Sequence, residues 1–142
     1  MLPNENQKEL FYLLALSFVK DIGPISARAL LARFENAHHI FNASSKELKG
    51  VEGIGDVRAA TLHNKEVFIR AEKELLFCEQ ENITILPYHH PKYPKRLLNC
   101  IDAPLLLFYK GTTDLNTQKI VSIIGTRKNT DYGERCCELL RR

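Results

Sequence analysis

Gly125-Thr126-Arg127 is where residue types and spacing in this 142-residue chain come nearest to chemistry. An arginine presents a planar fork of N–H donors that matches phosphate oxygens, and a threonine adds a hydroxyl and a backbone amide. Lys128 follows directly, and Tyr132 lies four residues further on. The chemistry open to this set is anion binding. Neither common nucleotide cradle is present: G-x-G-x-x-G needs two more glycines than Gly125 supplies, and Gly133 is followed by Glu134 and Arg135 rather than Lys and Ser or Thr. A second reading stays open at this point, in which Arg127 pairs with an acidic residue and Gly125 only permits a tight turn.

A second glycine turn, Gly53-Ile54-Gly55, resembles the helix-hairpin-helix motif, whose backbone amides at a helix N-terminus suit a DNA phosphate. Gly53, Gly55, Lys49 and Arg58 are its possible phosphate contacts. Asp56 stands where DNA-gripping versions carry a cation, and Glu52 lies inside the turn. A structural or protein-binding hairpin is therefore expected here rather than a strong DNA grip. Asp21 to Leu31 reads as a weaker copy of the same motif.

Other chemistries lack their residues. His38, His39, His89, His90 and Cys100 show no ligand spacing, so no metal is expected. No G-x-S-x-G elbow, no thiol beside an identifiable base and no paired carboxylates stand out, so no catalytic residue is assigned. Cys78, Cys100, Cys136 and Cys137 form no C-x-x-C pair and read as reduced thiols of a cytoplasmic protein.

The elements that must position the two turns follow from periodicity. Leu10, Leu13, Leu14, Phe18 and Val19 recur at helical spacing. Asp21-Ile22-Gly23-Pro24 then breaks the helix, with Pro24 suited to a first helical position. A second helix ends near Phe34, a short one covers Ala37 to Phe41, and Ser44 caps another. The Gly-Ile-Gly turn is predicted to lead into one long helix reaching about Gln80. Beyond it, Ile83–Pro87 and Ala103–Gly111 read as strands, His89–Pro94 as a proline-punctuated loop, and Lys95–Leu98 as one helical turn. Lys119 to Gly125 reads as a buried parallel strand, with a helix from Glu134 to Arg142 packing back on the sheet. Such a turn at the C-terminal end of a strand is where open α/β sheets bind ligands.

Charge divides the chain. Residues 1–82 carry ten Lys+Arg and twelve Asp+Glu, whereas residues 83–142 carry ten against five. The anion-facing surface belongs to the second segment. The longest apolar run, Phe11 to Val19, is too short to span a bilayer, and no secretory leader is recognisable.

In order along the chain, several motifs resemble the DNA-processing protein A family (DprA, also called Smf). Tyr93-Pro94-Lys95-Arg96-Leu97 matches its Tyr-Pro-x-x-Leu turn. Asp102-Ala103-Pro104 through Gly111 matches its Asp-Ala-Pro-x-x-Leu-x-x-x-Gly segment, and Gly125-Thr126-Arg127 with Tyr132-Gly133 matches the end of its Rossmann strand. The resemblance implies an α + α/β chain. Residues 1–82 would form an all-α helix-hairpin-helix (SAM-like) domain, and residues 83–142 the beginning of an extended Rossmann-like domain that is incomplete here. It further implies sequence-independent binding of single-stranded DNA, loading of RecA recombinase in natural transformation, and homodimerisation of the full-length protein. No cofactor, turnover chemistry or membrane is implied. Gly125, Thr126, Arg127, Lys128 and Tyr132 would line the DNA site. Two other classes are carried alongside: a nucleotide-processing Rossmann enzyme of the phosphoribohydrolase type, and a helical protein-interaction module.

Overall fold

The computed structural model describes residues 5–122, 124–125 and 127–140. Among them the chain runs α1 (Glu5–Ser17), α2 (Pro24–Phe34), α3 (Ala37–Asn42), α4 (Ser45–Lys49), α5 (Asp56–Thr61), α6 (Glu66–Gln80), β1 (Thr84–Pro87), a 3₁₀ turn (Leu97–Asn99), β2 (Leu106–Tyr109) and α7 (Asp131–Leu140).

The last turn of α1 is buried on every side at Leu13, Leu14, Ala15 and Leu16, which makes it the central helix; α2, α3 and α6 pack around it. Aromatic rings close one side, with Phe68 of α6 stacked on Phe11 at 5.9 Å and tilted against Phe41 at 4.8 Å between centroids. Local signals fix the ends of the small helices. Pro24 opens α2, Asn36 caps α3 through the His39 amide, and Ser44 with Glu47 forms a capping box on α4. The Glu9 carboxylate accepts from the Ala37 amide at 2.8 Å, so α1 also caps α3.

Two turns share one construction. Leu16, Val19, Ile22, Gly23, Ala27 and Leu30 have counterparts at constant spacing in Leu48, Val51, Ile54, Gly55, Ala59 and Leu62. Apart from the two glycines, all of them are buried. In the first turn the Val19 amide donates to Leu16, Ile22 to Val19 and Ala27 to Gly23. In the second, Val51 donates to Leu48, Ile54 to Val51 and Ala59 to Gly55. Each turn passes through the left-handed region, at Asp21 (φ 64°) and Gly53 (φ 79°). Arg58 Nη1 meets Ser26 Oγ at 3.5 Å, a contact between equivalent positions that sets the two turns face to face.

The long helix predicted from Asp56 to Gln80 is instead two helices. The chain leaves α5 at Leu62, which is buried, and Asn64 Oδ1 accepts from the Glu66 amide to start α6. An asparagine side chain that bonds the backbone ahead of it competes with helical continuation.

β1 and β2 form an antiparallel pair with Thr84 opposite Tyr109 and Pro87 opposite Leu106. Ile85, Leu105 and Leu106 join the hydrophobic cluster of the helices, so the hairpin is seated on the same core. The parallel strand predicted over Lys119–Gly125 is not formed: its described residues are irregular, with Val121 84% and Ile124 93% exposed. A strand's amides and carbonyls must be paired by neighbours, and no described strand lies beside this one. The sheet among the described residues is thus two-stranded and antiparallel. Helix α7 begins at Asp131, three residues before its predicted start, because Thr130 caps it by accepting from the Gly133 amide at 3.2 Å. No described helix is long and apolar enough to cross a membrane.

Candidate functional site

Between β1 and β2 lies the loop that organises the basic half. Tyr93 is 1% exposed, and its hydroxyl donates to the Pro104 carbonyl at 2.7 Å. Burial holds its phenol above the ordinary value of 10.0; the nearby Arg28 charge works against that and Cys100 adds slightly to it. The Tyr88 amide donates to Leu105 at 2.8 Å, continuing the hairpin past β1. Arg28, reaching over from α2, stands 5.8 Å from the Tyr88 ring centre, and its Nε and Nη2 are enclosed without a hydrogen-bond partner. The ring face supplies part of the missing electrostatic partner for that guanidinium.

A second set of bonds ties this loop to the segment leading toward the 125–127 turn. Asn116 Oδ1 accepts from the Lys95 amide at 2.8 Å while Asn116 Nδ2 donates to the Tyr93 carbonyl at 3.1 Å. Arg96 donates from Nη1 to Thr117 O at 2.9 Å and from Nη2 to Gln118 O at 2.8 Å. Residues 92–96 and 116–119 therefore form one unit. Lys92, Lys95 and Lys119 are exposed on it.

Gly125, Arg127 and Lys128 are exposed, and Tyr132, on the first turn of α7, is 75% exposed. Thr126 lies outside the described residues. A Cβ on Gly125 would meet nothing within 4 Å, so no packing among the described residues demands glycine there. Gly53 differs, since its φ of 79° favours glycine outright.

Cations at the Gly53–Gly55 turn are drawn inward. Lys49 Nζ pairs with Asp56 at 2.8 Å, and hydrogen bonding to that lysine, with its charge, lowers the Asp56 carboxyl below 3.8. Arg58 Nη1 donates to the Gly53 carbonyl at 2.6 Å. Gly53, Gly55, Lys49 and Arg58 are thus brought together, but the two charges serve the turn's own geometry. No group of His, Cys, Asp and Glu able to hold a metal occurs among the described residues.

The family described as DNA recombination-mediator protein A matches residues 84–142, the stretch that contains both the stitched loop and the open turn. Protein Smf of Synechocystis is 30% identical over 131 residues, which cover 89% of this chain and 33% of that protein. DNA processing protein DprA of Bacillus subtilis is 27% identical over 117 residues, covering 80% of this chain and 39% of that protein. No solved structure matches. These matches support membership of the DprA/Smf family. It spans between a third and two fifths of the length of these two relatives.

Within that DprA/Smf segment, two of the motifs quoted from sequence meet each other: the tyrosine of Tyr93-Pro94 bonds the proline carbonyl of Asp102-Ala103-Pro104. That bond makes the two motifs one piece of the scaffold. Sequence reasoning missed Asn116 and Arg96 as organisers. Both bond partners more than twenty residues away, and nothing in their own neighbourhoods signals it.

Proposed function

We propose that this chain binds single-stranded DNA without sequence preference, as part of a recombination mediator that protects incoming strands and loads RecA recombinase in natural transformation. The observation that carries this reading is the exposure of Arg127 beside Gly125 in a family-matched segment that also exposes Lys92, Lys95 and Lys119. A glycine that no packing among the described residues requires is useful where a phosphate must approach the backbone closely. Gly125, Thr126, Arg127 and Lys128 would hold phosphate, and the exposed Tyr132 ring could stack on a base. The helical part, residues 1–82, would act as scaffold or protein-binding module, since Lys49 and Arg58 are occupied within it. The reading assigns no cofactor, no turnover and a cytoplasmic setting, with homodimerisation belonging to the full-length protein.

Fluorescence anisotropy of labelled poly-dT, titrated with the chain and with Arg127→Ala, tests it. Binding should fall steeply with salt, with a logarithmic slope of about −0.7 per phosphate contacted. The variant should lose affinity for every sequence tried. Release of free base from a nucleoside monophosphate would instead point to a phosphoribohydrolase.

A further inference from the structure

The single-strand-binding reading accounts for the 125–127 turn but not for the cations on the loop before it. Residues 83–101 contain no Asp or Glu and carry Lys92, Lys95 and Arg96; residues 115–130 likewise contain none and carry Lys119, Arg127 and Lys128. These two acid-free stretches are far apart in sequence, yet the structure joins them through Asn116 and Arg96. Asp114, directly before the second stretch, accepts from the Asn116 backbone amide at 2.9 Å and helps hold the same unit. Among the described residues the ion pairs are Lys49 with Asp56 and Lys110 with Glu81, so none neutralises Lys92, Lys95 or Lys119.

We propose that Lys92, Lys95 and Lys119 form a second phosphate-contacting patch for single-stranded DNA, held together by Asn116 and Arg96 and lying upstream of the Gly125–Arg127 turn. This rests on the single-strand-binding reading given above. The patch adds sequence-independent electrostatic affinity and carries the strand past the turn. Arg96 acts as a positioning residue, because its guanidinium is occupied by the Thr117 and Gln118 carbonyls. Lysine suits the other three places: a point charge on a flexible stem follows a mobile backbone without demanding one geometry.

The test compares the whole chain with a triple variant, Lys92→Gln, Lys95→Gln and Lys119→Gln, and separately with Arg127→Ala, on labelled poly-dT across a salt series. All three lysines are exposed, and circular dichroism checks that the variant keeps its fold. Three lost contacts should flatten the salt slope by about 2 and weaken low-salt binding by roughly ten-fold or more. A Lys→Arg triple should restore the slope. If the Gln triple binds as the unaltered chain does while Arg127→Ala fails, the patch is refuted and the turn stands. If the triple fails while Arg127→Ala binds normally, the patch stands and the turn is refuted. A chain that ignores poly-dT at low salt overturns both.

Discussion

The two glycine turns of this molecule look alike in sequence and differ in what surrounds them. Gly53–Gly55 sits on a buried core, repeats an earlier turn position for position, and draws Lys49 and Arg58 into its own bonds. Gly125 and Arg127 are exposed, beside a unit whose lysines make no ion pair among the described residues. A helix-terminal or strand-terminal glycine supplies only backbone access. Whether it becomes an anion site depends on whether nearby cations still have charge to offer a ligand.

The largest effect that would sharpen this contrast is on stability. Leu48→Ala, at the buried foot of the first turn, should cost about 2–5 kcal/mol in urea denaturation. Ile124→Ala, beside the second, should change stability by less than about 0.5 kcal/mol. Equal losses would mean that the 119–125 segment is packed in solution and that the contrast is wrong.

Affinity gives the next test. Gly125→Ala should weaken poly-dT binding without lowering the melting temperature, since its Cβ has room. Gly53→Ala should do the reverse, destabilising through its positive φ by about 1 kcal/mol or more. If Lys49→Ala impaired DNA binding as much as Arg127→Ala, the two turns would have to be regarded as one surface.

Smaller effects probe the scaffold. Tyr93→Phe leaves the Pro104 carbonyl without its donor and should cost about 1–3 kcal/mol. The phenol is held above its ordinary value, so the folded state favours the protonated form. Stability from this group is complete below pH 10 and lost as pH rises through the folded value, which tyrosinate absorbance during alkaline titration would follow. Ser44→Ala should cost about 1 kcal/mol by removing the capping box. Glu47 is held below 4.5, chiefly by its side-chain hydrogen bond with Ser44. Its contribution is therefore present above pH 4.5 and lost as pH falls through the folded value, and Ser44→Ala should flatten that acid limb.

Sequence alone determined the features carried by local physics. Pro24 and Ser44 act within a few residues, and buried Leu13 and Leu14 follow helical spacing, so those helix starts and that core face were legible. So were the linked motifs that mark the family, because they are read in order along the chain. Tertiary structure decided the rest. The Lys119–Gly125 run has every intrinsic mark of a strand, yet pairing depends on partners that no local pattern supplies. The break at Leu62–Lys65 hangs on where Leu62 must be buried. Lys49 was legible as a cation but not as a spent one, and Lys92, Lys95 and Lys119 became one patch only through Asn116 and Arg96. Charge is written in the sequence. Its availability to a ligand is a distance between residues far apart in the chain, and only folding sets that distance.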